Sequence, residues 1–234
     1  MNNRQSPHAF RSCLFLCAIA ATLAACSQGT PVINATDVQL LMVQDPSGSF
    51  AERLSLFVFF DDDDGVSDFR SISLTHNDTG LVWNITEENA VVRLRGKDRW
   101  TGSNQLSGPG GSGMPDGSYT LVVTDLAGNE AVKILNLVRP AFPAQSPVKL
   151  EMAGDRWILT KNPDNGGFTR TFFLLYGKDS RLLYSWRVPE NSKQKSEGTV
   201  PDLRKLARDV TAVRCYTENA GGSAGVLLTP VNLR

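Results

Sequence analysis

The most chemically distinctive stretch of the chain is the acidic segment at residues 59–70, which reads FFDDDDGVSDFR. Oxygen ligands from closely spaced carboxylates suit calcium, which takes about six to eight of them. The four aspartates at residues 61–64 directly follow an apolar run, where a strand would end and a turn would begin. Turns also carry acids simply because acids are well solvated. The segment is therefore either a cation site or a solvated acidic turn.

The spacing of the acids narrows the kind of calcium site. An EF-hand loop has its glycine sixth, so Gly65 would make Phe60 the first ligand and Ser71 the twelfth. Neither residue can serve in that position, and the EF-hand is excluded. The remaining pattern, D-x-D-G-x-x-D, resembles the short calcium repeats of thrombospondin type 3, which occur in tandem, whereas this chain has one copy. Its acids are Asp62, Asp64 and Asp68.

The N-terminal segment MNNRQSPHAFRSCLFLCAIAATLAAC has a polar start with two arginines, an apolar run at residues 13–23 and small residues before Cys26. The apolar run is too short for a membrane-spanning helix. The sequence LAAC, ending at Cys26, resembles the lipobox of bacterial lipoproteins. This resemblance implies that residues 1–25 are a cleaved signal peptide and that Cys26 carries the lipid. Ser27 after the cysteine is compatible with the outer membrane. A plain secreted chain is the alternative.

The side chains left after cleavage argue against catalysis. One histidine remains, His76, in a predicted turn, and one cysteine besides Cys26, Cys215, on a predicted strand. These numbers exclude zinc sites built on several histidines or on cysteine pairs, and they exclude an intramolecular disulfide. The glycines of SGPGGSG satisfy G-x-G-x-x-G, but no predicted strand precedes them and no helix follows. We therefore expect no enzyme, and calcium is the only cofactor that we predict.

The charge balance argues against nucleic acid as a partner. Cleavage leaves 22 basic and 24 acidic residues, a formal charge of −2. No basic patch stands out, although phosphate binding would require one. The expected attachments are the membrane, through the lipid, and an unknown envelope protein or glycan.

Short runs with period-two alternation indicate an all-β chain. Between residues 38 and 139, turn sequences separate seven runs, at 38–43, 54–60, 71–75, 81–85, 90–95, 118–124 and 131–138. Seven short strands in about 100 residues are typical of an immunoglobulin-type sandwich. The hairpin MPDGSYTLVVTDLAGNEAV resembles the last hairpin of bacterial Ig-like domains, in which the tyrosine hydroxyl, here on Tyr119, bonds to the backbone at the corner. The residues that carry the match are Asp116, Gly117, Tyr119, Asp125, Gly128 and Asn129.

Immunoglobulin topology brings a further acid to the acidic turn. If residues 54–60 form strand B, the aspartate run lies in the B–C loop, and the F–G loop with Asp125 and Glu130 lies at the same end of the sandwich. The hypothesis is a weak calcium site at the end of this domain nearest the N-terminal tether (residues 26–37), and a solvated acidic turn remains the alternative. The ligands of the calcium site are Asp62, Asp64, Asp68 and Asp125.

A second domain follows a proline-rich segment. Residues 26–37 read as a flexible tether, 38–139 as the Ig-like domain, 140–147 as a stiff linker and 148–234 as the second domain. The runs at 148–152, 156–161, 170–176, 182–188, 210–216 and 225–231 again predict strands, and PDLRKLAR at 201–208 predicts a short helix. The turn at Pro163 and the hairpin from Asn219 to Gly222 resemble fibronectin type III. Thr160 and Thr211 replace that family's usual tryptophan and tyrosine, so Trp157 is expected to fill the core instead.

The sequence also suggests surfaces for a partner. Residues 97–116 read as a long glycine-rich loop, and Trp100 within it lies outside clear alternation, which makes it the candidate for partner contact. This loop and the turns NPDNGG and ENAGGS should gather near the junction of the domains. The hypothesis is a lipid-anchored, non-catalytic binding or spacer module of the bacterial envelope. The alternatives are a carbohydrate-active enzyme and an assembly factor that adds a strand to a partner.

Overall fold

The computed structural model of the chain describes residues 29–62, 68–189 and 194–233, and nearly all of its regular structure is β. Its first eight strands are β1 (Val32–Gln44), β2 (Phe50–Asp61), β3 (Phe69–His76), β4 (Val82–Thr86), β5 (Val91–Arg95), β6 (Asp98–Leu106), β7 (Gly117–Asp125) and β8 (Glu130–Leu137). The later elements are β9 (Val148–Ala153), β10 (Arg156–Lys161), β11 (Phe168–Tyr176), β12 (Leu182–Arg187), β13 (Lys195–Thr199), α1 (Val200–Leu206), β14 (Ala212–Asn219), β15 (Ala224–Leu227) and β16 (Val231–Asn232). A single 3-10 turn spans Pro109–Gly111.

The first half of the chain forms an immunoglobulin-type sandwich. One layer has the strand order β1-β2-β6-β5 and the other β4-β3-β7-β8, which correspond to A-B-E-D and C′-C-F-G. Inward side chains such as Leu56, Ile72 and Leu121 are fully buried, and each contributes roughly 1.5–3 kcal/mol through burial. The predicted tyrosine corner is confirmed, because the Tyr119 hydroxyl donates to the Pro115 carbonyl at 2.6 Å.

The prediction of a long loop at residues 97–116 is wrong. Strand β6 occupies Asp98–Leu106 and pairs with both β2 and β5. Its alternation is hidden because its buried positions include Thr101 and Ser103 instead of large apolar residues. Gly102 is required there, since a Cβ would lie 1.9 Å from the Leu56 carbonyl oxygen. Trp100 is therefore a half-buried strand residue.

The second half forms a fibronectin-III-type sandwich. Its layers are β9-β10-β13 and β12-β11-β14-β15, in the family's order A-B-E and C′-C-F-G. Trp157 lies in the core as expected, with its ring edge-on to Phe173 at 5.1 Å between centroids. The predicted helix is present as α1, and the Thr199 hydroxyl caps it by accepting from the Asp202 amide at 3.3 Å. The chain thus folds as two tandem β-sandwiches, as the sequence predicts.

The two sandwiches share a sheet. Strand β15 of the second pairs in parallel with β1 of the first, from Leu40 opposite Ala224 to Val43 opposite Leu227. This pairing produces one nine-stranded sheet in which both sandwiches take part. Outside this ladder of paired residues, the side-chain amide of Gln39 donates to the Gly222 backbone carbonyl at 3.0 Å. The sandwiches are therefore joined by backbone hydrogen bonds as well as by the intervening segment.

The N-terminal and linking segments are more ordered than their compositions indicate. Strand β1 begins at Val32, so residues expected in the tether pair with β2 instead, beginning with Val32 opposite Asp61. Between β8 and β9, Phe142 packs against the apolar clusters of both sandwiches. The proline-rich segment is therefore packed against both cores.

Candidate metal site

Three strand ends meet at the tether end of the first sandwich. Strand β2 ends at Asp61, β3 begins at Phe69 and β7 ends at Asp125. The register places Phe69 opposite Asp125, and the Leu126 amide donates to the Asp68 carbonyl at 2.9 Å. The B–C and F–G connections are therefore hydrogen-bonded to each other at this end, as the immunoglobulin topology predicts.

The acids predicted as ligands come together here. Asp62, Asp68 and Asp125 each offer a carboxylate oxygen, and these oxygens all lie within 4.8 Å of one another. Asp64, the fourth predicted ligand, lies outside the described residues. Two ligands on opposite sides of a calcium ion stand about 4.6–5.2 Å apart, twice the usual calcium–oxygen distance. The group therefore has the dimensions of a partial calcium shell.

Asp125 is the buried member of the group, with 2 % of its surface exposed. Burial alone would raise the pKa of this carboxyl, but hydrogen bonds from Asn129 and neighbouring backbone amides outweigh burial and lower the pKa below its usual value. The Asn129 amide N–H donates to one carboxylate oxygen at 2.7 Å, and its side chain donates to the other at 2.8 Å. Asp125 is thus held as a fixed anion.

Glu130 is not part of the group, although the sequence placed it at the same end. It pairs with Thr124 at the start of β8, whereas the group contains Asp125, the next residue on β7. Successive side chains on a strand point to opposite faces, so Glu130 lies on the solvent face and Asp125 on the core face. This alternation keeps the two carboxylates apart.

Mutual repulsion makes the three carboxylates a natural place for a cation. Two unit charges about 4.8 Å apart repel by roughly 1 kcal/mol in water and about 3 kcal/mol at the effective dielectric constant of a protein surface. A divalent cation would replace this repulsion with attraction. Three carboxylate oxygens at this spacing are a donor set suited to a cation.

The start of the described chain packs against this acidic end. The Asn129 side chain, which holds Asp125, also donates to the Gly29 carbonyl at 3.1 Å. Cys26, the predicted lipid attachment residue, lies outside the described residues, three positions before Gly29.

Trp100, the predicted partner contact, belongs to a cation–aromatic cluster on the solvent face of the nine-stranded sheet. Its ring lies 5.8 Å from that of Phe59, and the Arg95 guanidinium lies 4.7 Å from the Trp100 ring centroid. Among the residues that the structure describes, the buried Trp100 indole N–H has no hydrogen-bond partner. Nearby, the Arg93 guanidinium covers the Phe57 ring at 3.6 Å.

The opposite end of the first sandwich carries an ion pair between buried Glu52 and partly exposed Arg139, which no local sequence pattern indicates. Glu52 pairs with Arg139 and accepts the Met114 amide at 2.7 Å, while Arg139 also donates to the Met114 carbonyl. The Arg139 backbone amide donates to Asp116 at 2.9 Å. These bonds attach the glycine-rich loop to the first residues after β8.

The three turns predicted to gather at the domain junction each contact a different segment of the chain, and their gathering stays a prediction. In the glycine-rich loop after β6, the Met114 carbonyl and the Asp116 carboxylate accept hydrogen bonds from Arg139. The amide of Asn162, in NPDNGG, donates to the Pro147 carbonyl at 2.8 Å. The Leu40 amide donates to the carbonyl of Ser223, the last residue of ENAGGS, at 2.9 Å. All three turns therefore make contacts within the chain.

His76 and Cys215 have structural roles. The ring nitrogens of buried His76 lie 2.8 Å from the Thr79 hydroxyl and 3.0 Å from the Asp116 carbonyl. Cys215 is fully buried on β14, and burial raises the pKa of its thiol.

No protein-family model matches the chain, and no curated protein matches it. Among solved structures it resembles Tp47, the 47-kilodalton lipoprotein of Treponema pallidum, with a TM-score of 0.40 and 11 % identity over 86 % of this chain and 50 % of that one. It also resembles domains A168–A170 of titin, with a TM-score of 0.24 and 14 % identity over 87 % and 66 % of the two chains. The central fibronectin-III array of RIM-binding protein gives a TM-score of 0.26 and 12 % identity over 89 % and 64 %.

These similarities concern the fold alone, and the chain spans half the length of Tp47. The strand orders define the class: a protein of two sandwiches, one immunoglobulin-like and one fibronectin-III-like. No helix in the described part of the chain is long and apolar enough to cross a membrane.

Proposed function

We propose that this chain is a lipid-anchored protein of the bacterial envelope, on the outer membrane, that serves as a non-catalytic binding or spacer module. Cys26 carries the lipid, and calcium binds weakly at the anchor side through Asp62, Asp64, Asp68 and Asp125. The partner is an envelope protein or glycan, and Trp100 belongs to the surface that contacts it.

The observation that carries the proposal is the shared sheet. The ladder between β1 and β15 and the packing of Phe142 on both cores connect the two sandwiches directly. A pair of domains joined in this way keeps a defined separation between its ends, which suits a spacer better than an enzyme with a closing cleft.

The position of the tether supports an anchor at the acidic end. Gly29 is hydrogen-bonded to Asn129, so an anchor at Cys26 would hold this end of the sandwich near the membrane surface. Calcium bound there would reduce repulsion between the aspartates and anionic headgroups, and it would stabilise the B–C and F–G connections.

Lipidation is tested by replacing Cys26. Cells that express the protein or Cys26→Ser are labelled with radioactive palmitate, and the envelope is fractionated. We expect label and membrane association for the native chain and neither for Cys26→Ser, while Cys215→Ser keeps both. Equal labelling of Cys26→Ser and the native chain would overturn the anchor.

Calcium binding is tested with the soluble protein that starts at Ser27. Millimolar calcium in place of EDTA should raise the melting temperature by about 2–5 °C, the effect of a ligand present at several times its Kd. Replacing Asp62 and Asp68 by Asn should remove the increase. Asp78→Asn, on the turn after β3, is the control and should keep it. An unchanged melting temperature in the native protein would exclude the site.

A further inference from the structure

Strand β5 forms one edge of the nine-stranded sheet. It pairs with β6, from Val91 opposite Gly102 to Arg95 opposite Asp98, and within the described parts of the chain it has no second neighbour. The backbone groups on its outer side are therefore available for another strand. Edge strands with free backbone groups are sites at which a second chain can pair.

The two faces of β5 differ in chemistry. Arg93 and Arg95 lie on the solvent face of the sheet, over the rings of Phe57 and Trp100. Val92 and Leu94 lie on the face that carries the core, yet they are 45 % and 74 % exposed. At Val92 and Leu94, β5 thus extends beyond the part of the sheet that the second layer covers.

The charge on the solvent face is only partly balanced. Arg95 pairs with Asp37, whereas Arg93 has no carboxylate within salt-bridge distance in residues 29–62, 68–189 and 194–233. Burial lowers the pKa of Arg93, and the nearby Asp37 opposes this effect. The Arg93 guanidinium lies over Phe57 of β2, so a carboxylate on a strand added at the free edge would pair with it once the side chain turned toward that edge.

The other edge of the same four strands shows that this sheet accepts strand addition. Strand β1 pairs with β15 of the second sandwich through backbone bonds, and the Gln39 side chain adds a hydrogen bond to the Gly222 carbonyl. Free β5 lies at the far side of these strands and offers the same backbone groups together with a defined pattern of charge and apolar surface.

We propose that β5 binds an extended segment of a partner protein by strand addition, and that acidic and aliphatic residues alternate along this segment. Its acidic side chains face Arg93 and Arg95, and its aliphatic side chains cover Val92 and Leu94. The proposal rests on the proposed binding role and gives that role a surface and a kind of partner. Peptide recognition at a sheet edge takes its affinity from backbone bonds and its specificity from alternate side chains.

Three labelled peptides of about eight residues test the proposal against the soluble protein that starts at Ser27. One alternates Val and Glu, one alternates Val and Lys, and the third has the Glu pattern with two central valines replaced by Pro, which removes backbone donors. Fluorescence anisotropy should show the Val-Glu peptide binding at least about tenfold more tightly than the Val-Lys peptide, because two favourable cross-strand charge pairs replace two unfavourable ones. The proline peptide should not bind.

A charge exchange in the protein supplies the matched control. Arg93→Glu with Arg95→Glu should reverse the preference between the Glu and Lys peptides. Lys149→Glu with Arg156→Glu, which makes the same change in formal charge on β9 and β10, should leave the preference between the peptides unchanged.

If the charge variants fail to fold, the binding of the three peptides to the native protein still tests the proposal. Equal binding of the Glu and Lys peptides, undiminished binding of the proline peptide, or no binding at all would overturn the proposal. The lipidation and calcium results do not depend on these measurements.

Discussion

The two ends of the first sandwich differ in whether their acidic side chains are paired with a cation from the same chain. At the junction end, Glu52 is matched inside the chain by Arg139 and by the Met114 amide. At the tether end, Asp62, Asp68 and Asp125 gather at coordination distance of one another. A charge compensated within the chain holds segments together, whereas a group of like charges provides a place for a cation. The predictions below, from the largest effect to the smallest, test this contrast.

Removing Arg139 should have the largest effect on stability. Arg139→Met leaves the Glu52 carboxylate, whose side chain is 7 % exposed, without its cation. We expect a loss of about 3 kcal/mol in the free energy of unfolding, measured by urea denaturation, because a buried charge without a partner is costly. Arg156→Met breaks an exposed pair with Glu197 and should cost at most about 0.5 kcal/mol. Equal losses of stability in the two variants would mean that the Glu52–Arg139 pair contributes no more than an exposed ion pair.

Gly225→Ala tests whether the shared sheet couples the sandwiches. A Cβ at this position would lie 2.5 Å from Cε2 of Tyr216, so the ring next to β1 must move. We expect a loss of about 2 kcal/mol, as for overpacking, and calorimetry should show a broader or divided unfolding transition. At Gly221 the nearest atom to such a Cβ is 4.0 Å away, and Gly221→Ala should leave the transition unchanged.

Tyr119→Phe removes the corner hydrogen bond near the junction end. The lost bond to the Pro115 carbonyl should cost about 1 kcal/mol in urea denaturation. Burial raises the pKa of Tyr119 to about 12, so the contribution of this phenol is present below its ordinary pKa and is lost as pH rises toward 12. The variant should lack that alkaline decline. Tyr184→Phe, at an exposed position on β12, should retain it.

The contribution of the tether end to stability is the smallest of these effects at neutral pH, and acidification is the way to measure it. The pKa of Asp125 is lowered in the folded chain, so its stabilising contribution is present above the ordinary pKa of about 3.9 and is lost as pH falls through the lower folded value. The melting temperature of the native protein should therefore fall below about pH 4, and Asp125→Asn should weaken this dependence. An identical acid profile in the variant would show that the carboxylate is not held as an anion.

Local patterns were enough to predict most of the fold. Alternating runs located all but one strand of the first sandwich, because most of the runs bury an apolar face between the two sheets. Strand β6 was missed since Thr101, Gly102 and Ser103 occupy positions where the pattern expects large apolar residues. Immunoglobulin topology determines which loops share an end, so the D-x-x-G-N turn was expected to bring Asp125 to the acidic turn, and Asp125 does lie with Asp62 and Asp68.

Other contacts could not be predicted because they join residues that are distant in sequence. No local pattern links Glu52 with Arg139 or Gln39 with Gly222, since each pair depends on how two elements approach each other. The strand register also had to be known to place Glu130 and Asp125 on opposite faces of the sheet. Trp100 appeared to lie in a loop until its pairing with β5 and β2 placed it within a sheet.

By itself the sequence determined the all-β class, the two sandwiches, the lipobox resemblance at Cys26 and the types of residue at the acidic turn, because these depend on composition, local alternation and turn chemistry. Tertiary structure alone decided that β1 and β15 join both sandwiches in one sheet and that three aspartates lie within 4.8 Å. It also left β5 at an edge with arginines on one face and exposed aliphatic residues on the other. Strand partners and convergent side chains depend on the packing of distant segments, which no local pattern encodes.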